Sequence, residues 1–83
     1  KQEERILTTE LYEQLGGRIP KKIVNQALCC ALSSILLFSA KCKEQVLEVM
    51  TKRFQTRLSL TDQDTIVQFA VAHNRMAALI IKE

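Results

Sequence analysis

From Lys21 to Leu58 the chain has neither glycine nor proline, and within that stretch the eighteen residues from Ile23 to Ala40 carry no charge. Nothing there breaks a helix, and a helix so poor in charge must find cover on more than one side. A single helix across 21–58 would be about 57 Å long at 1.5 Å per residue, too long for a chain of 83 residues built around one core. A break is therefore expected at Ser39-Ala40-Lys41-Cys42-Lys43, where the pattern changes from wholly apolar to amphipathic. The alternative is one long bent helix across 21–58.

On a helical projection the uncharged run separates into two faces. Val24, Leu28, Ala31, Leu32, Ile35, Leu36 and Phe38 form a large-residue core face. Gln26, Cys29, Cys30, Ser33, Ser34 and Leu37 form the other, mostly small side chains that let a neighbouring helix come close. Eighteen uncharged residues between Lys21-Lys22 and Lys41 reach the lower limit for a membrane span. Asn25, Gln26 and three serines dilute that reading, and the neighbouring amphipathic segments need a core to cover, so a buried central helix is preferred.

The flanking segments carry clear punctuation. Leu7, Leu11 and Leu15 recur at four-residue spacing, with Ile6 and Tyr12 beside them, until Gly16-Gly17 ends the pattern. Pro20 then opens the next helix. Cys42, Val46, Val49, Met50 and Phe54 mark the inner side of the third segment. Ser59 or Thr61 can cap a fourth helix, with Asp62 and Asp64 at its positive end. The main stripe of that helix is Ile66, Phe69, Ala70, His73, Ala77, Ile80 and Ile81. The expected fold is a single all-α domain over 1–83, a bundle of three to four helices at about 3–15, 20–38, 42–57 and 62–81, with the central one buried. A composition 47% hydrophobic and 25% charged suits such a folded domain and not a disordered tail. The first residues, KQEER, and the last, ALIIKE, read as cut from a longer protein.

Little in the sequence points to chemistry. Three cysteines are an odd set, and adjacent Cys29 and Cys30 on a helix are poorly placed to join each other, so a reduced, intracellular and cytoplasmic setting is expected. Three Cys and one His, with Cys29 and Cys30 adjacent and no C-x-x-C pair, lack the ligand spacing of a structural zinc site, and no metal or cofactor is expected. No phosphate-binding glycine loop, H-E-x-x-H or G-x-S-x-G occurs. His73 falls on an apolar stripe and is read as a core or interface histidine. The competing idea, a Cys42 nucleophile with His73 as base, has no local signature behind it. The chain is not expected to be an enzyme.

Binding is the expected role. Both the central and the last helix look buried on several sides, which predicts self-association or docking of a helical partner through Cys30, Ser34, Leu37, Val67, Val71, Ala78 and Leu79. The net charge of +3 is uneven: residues 18 to 57 hold eight Lys/Arg against two Glu. If the chain reverses near 39–43, Arg18, Lys21 and Lys22 reach the same end as Lys52, Arg53 and Arg57. That basic pole is the alternative function, a nucleic-acid or anion contact. Aromatic side chains for stacking on bases are scarce, since Phe38, Phe54 and Phe69 all lie on core stripes.

Overall fold

The computed structural model describes residues 2–38, 43–54 and 57–73, with side chains for 6–34, 43–54 and 57–73. Four helices occur in the order α1 (Gln2–Gln14), α2 (Lys21–Phe38), α3 (Lys43–Phe54) and α4 (Leu60–Ala72), and the described residues contain no strand. Each expected helix is present. The alternative of one helix across 21–58 is corrected: α2 and α3 are separate elements that pack on each other, and the molecule measures 28 × 27 × 17 Å, with no axis for a rod of that length. The break expected at 39–43 falls on 39–42, outside the described residues, and Lys43 already belongs to α3.

α1 ends as its glycines require. The Gly17 amide donates to the Tyr12 carbonyl at 3.1 Å and the Gly16 amide to the Glu13 carbonyl at 2.9 Å, the paired closure of a left-handed helix end. Gly16 (φ 73°) and Gly17 (φ 67°) both occupy the left-handed region, where a Cβ would be strained. The chain then turns at Ile19, which is buried, and Pro20, whose carbonyl accepts the first α2 bond from the Val24 amide at 3.0 Å. Pro20 thus stands at the cap of α2, just ahead of the first turn.

α2 is the central helix because it has three partners: α1, α3 and α4 all pack on it, and α3 and α4 also pack on each other. Its large-residue face, Val24, Leu28, Ala31 and Leu32, is fully buried together with Ala27. Leu7, Leu11 and Leu15 from α1, Val46, Met50 and Phe54 from α3, and Ile66, Val67, Phe69 and Ala70 from α4 complete one core. Among the described residues only Ile6 (54%) and Leu60 (65%) are large hydrophobics left exposed.

α4 starts where its sequence signals it. The Ser59 side chain accepts from the Asp62 amide at 3.1 Å, and Asp62 in turn receives Arg18 at 3.0 Å across 44 residues of chain. Between α3 and α4 the buried Gln63 amide has a partner at each end: its nitrogen donates to the Leu58 carbonyl at 3.0 Å, and its oxygen accepts from the Thr51 hydroxyl at 2.9 Å. The turn after α3 is thereby tied to both helices it joins. His73 caps the C-terminal end of α4, and the continuation to Ile81 expected from sequence falls on residues outside those described.

Lys43 at the start of α3 meets Asp64 of α4 at 3.0 Å. The Lys43 ammonium, followed by the Gln68 amide, holds the Asp64 carboxyl below its ordinary value of 3.8. A lowered folded pKa contributes stability that is present above the unfolded value and is lost as pH falls through the folded one. Acid titration of stability therefore loses one step below pH 3.8 in the Asp64→Asn variant, visible as a shallower decline in urea midpoint between the unfolded and folded pKa. An unchanged acid profile in D64N removes the pair as a contributor.

Candidate functional site

The small-residue face of α2 is not sealed by the rest of the bundle. Beside it lies a groove of about 710 Å³ between α2 and α3. One wall is Asn25, Gln26, Cys29, Cys30, Ser33 and Ser34, and the other is Val49, Arg53 and Phe54 of α3 with Arg57 in the turn that follows. Helical periodicity builds both walls: positions 26, 29, 30 and 33 recur on one side of α2, and 49 and 53 are one turn apart on α3. The Asn25 wall is pinned from behind, since the Thr8 hydroxyl of α1 donates to its side-chain oxygen at 2.8 Å.

The groove is polar at its mouth and apolar where it meets the core. Gln26 and Ser33 are exposed, Cys29 and Cys30 half-buried, and Ser34 buried. Val49 is half-buried and Phe54 buried. Cys30 packs partly against the core, and both cysteines of the wall are thiols. Arg53 lies over the Phe54 ring, 5.8 Å from its centroid, so an aromatic face holds its guanidinium at the groove. None of the lining residues is acidic.

The structure distributes the expected contact residues unevenly. Cys30 and Ser34 line the groove. Val67 does not qualify as a contact residue: it is buried to 0% exposure inside the core, because α4 turns this position toward α2 and α3 rather than outward. Val71 is half-buried and packs on the same core. The side chain of Leu37, and Ala78 and Leu79 altogether, lie outside the described residues. Asn25, Val49 and Phe54 were missed as groove residues. The alternation of faces on α2 did signal the first wall, but which helix supplies the second is a matter of packing.

Of the six basic residues expected at one pole, Arg53 and Arg57 line the groove. Asn25, one turn after Lys21, shares the groove with Arg53 and Arg57, which brings the start of α2 to the end of α3. Arg18 is engaged by Asp62, and Lys21 lies 5.3 Å from the centroid of the Tyr12 ring. Lys22, Lys52, Arg53 and Arg57 are exposed and make no ion pair among the described residues. Of the six, Arg18 alone has a carboxylate partner among the described residues.

The chemical candidates fare differently. Cys42 lies outside the described residues. His73 is held at the end of α4, with Nδ1 at 2.9 Å from the Phe69 carbonyl oxygen and its ring stacked on Phe69 at 4.2 Å between centroids. In the neutral ring, Nδ1–H is then the donor to that carbonyl. Among the described residues no three His, Cys, Asp or Glu side chains cluster as a metal site, and no helix is long and apolar enough to cross a membrane.

The fold is that of a small all-α bundle, with a groove between α2 and α3 that two arginines line. Comparison with known proteins found no matching family model, curated protein or solved structure.

Proposed function

We propose that this chain is a non-catalytic helical interaction domain that docks a protein partner in the α2–α3 groove. The observation that carries the reading is the groove itself, about 710 Å³, with small side chains on one wall and Val49, Arg53 and Phe54 on the other. Small residues let a partner backbone come close, and a groove between two helices is the usual receptor for an amphipathic helix. The groove's own lining has only Val49 and Phe54 as large apolar side chains, which suits a small, reversible contact rather than an obligate one. The reduced, intracellular setting expected from the thiols belongs to the same proposal.

A panel of synthetic helical 16-residue peptides, acidic, neutral and basic, titrated into ¹⁵N-labelled protein provides the test. At least one member shifts the amides of Gln26, Cys29, Ser33 and Val49, and Ser33→Trp, at an exposed lining position, blocks that shift while leaving the far-ultraviolet circular dichroism unchanged. A panel in which no member moves these amides removes the groove as a docking site.

A second reading rests on Arg53 and Arg57 lining one groove, with exposed Lys52 beside Arg53 on α3, a set of cations that suits a polyanion such as nucleic acid. It predicts retention on duplex DNA or RNA at low salt that weakens steeply as salt rises and is lost on replacing Lys52, Arg53 and Arg57 by Glu. Absence of retention at low salt excludes it.

A further inference from the structure

Charge selects what the groove accepts. Arg53 and Arg57 line it, no carboxylate does, and neither arginine has an ion pair among the described residues. Lys22 and Lys52 are likewise exposed without an ion pair among the described residues, and Asp62 is held by Arg18. The lining of the groove thus holds two cations and no counter-charge, and an occupant gains by bringing one. At the other end of the same groove Ser33, Ser34 and Cys30 offer only small, nearly neutral surface.

Resting on the docking function proposed above, we infer that the occupant is an acidic helical segment of another protein. It places two carboxylates, one helical turn apart, against Arg53 and Arg57, and alanine-sized or serine-sized residues against Cys30 and Ser33. Guanidinium groups favour such a partner because they pair with a carboxylate through two parallel hydrogen bonds. The cation–π contact with Phe54 favours a guanidinium already placed at the groove, which lowers the ordering cost of the contact. An apolar helix of the kind that fills hydrophobic clefts is disfavoured, since it would strip water from both arginines without replacing their hydrogen bonds.

The probe is a fluorescein-labelled 16-residue alanine-based peptide with glutamates at two positions four apart near one end, compared with the same peptide carrying glutamines there. Fluorescence anisotropy at 150 mM salt is expected to give the glutamate peptide a dissociation constant on the order of 10 to 100 μM, as for a small transient interface. The glutamine peptide binds at least about tenfold more weakly, and R53E/R57E, both exposed positions, weakens the glutamate peptide by a similar factor. Equal binding of the two peptides, both blocked by S33W, overturns the acidic preference while the docking function stands. Lack of response to either peptide, with no groove amide shifting for any member of the panel, sinks both. Arginine-dependent binding of a 16-base-pair duplex without binding of the glutamate peptide transfers the site to nucleic acid and overturns the inference. Sedimentation that shows the chain alone associating through the groove, and dissociating in R53E/R57E, assigns the occupant to a second copy and overturns it as well.

Discussion

Leu28→Ala is expected to lower the unfolding free energy by about 3 kcal/mol, within the range for truncating a fully buried leucine. Leu28 is 1% exposed and sits on α2, the helix against which all three others pack closely, so the void opens where no single helix can move to fill it. The loss has two parts, the transfer free energy of the removed carbons and the cavity they leave. At roughly 0.05 to 0.15 kcal/mol per residue the whole domain has only about 4 to 12 kcal/mol to lose. The thermal midpoint should fall by roughly 12 to 24 °C. Urea unfolding of wild type and variant, with the slope m unchanged, is the measurement; a change below about 1 kcal/mol would mean that the α1, α3 and α4 side chains do not meet at this position.

The second large effect is expected at a polar residue. Gln63→Leu keeps most of the volume but removes both hydrogen bonds, leaving the Leu58 carbonyl without its donor and the Thr51 hydroxyl without its acceptor. Gln63 is 1% exposed, so water does not replace them easily, and a cost of about 2 kcal/mol follows from an orphaned buried carbonyl. Gln63→Glu should cost more at neutral pH, because a buried carboxylate would face that carbonyl. Burial raises the pKa of such a carboxyl, so the penalty eases as pH falls through the raised folded value and the acid becomes a donor. A Q63E variant whose stability, relative to wild type, is indifferent to pH between 7 and 4 would show that the side chain has swung out to solvent.

Leu28 and Gln63 show how differently a position can be read in advance. Leu28 lies on a periodic apolar face, and its burial follows from that period alone. Gln63 sits in SLTDQD, a run of polar residues that marks a helix start, and nothing in the run distinguishes the one amide that turns inward. Arg18 and Asp62 pose the same difficulty: each has a local explanation, one as part of a basic cluster and the other at the positive end of a helix. Their pairing across 44 residues exists only once α1, α2 and α4 have packed. Val67 erred in the opposite direction. Its position off the main stripe suggested surplus apolar surface for a partner, whereas α4 is buried broadly enough to take Val67 into the core.

By itself the sequence determined the helical class, the four segments, the glycine end of α1, the serine start of α4 and the two unlike faces of α2. These are properties of one helix at a time, governed by periodicity, left-handed glycine conformation and capping, and they act within a few residues. Only the tertiary structure decided that α3 lies beside the small-residue face, that a groove remains there, and that Arg53 and Arg57 line it. Those relations depend on how whole faces fill space against one another, a condition spread over distant residues that no local pattern encodes.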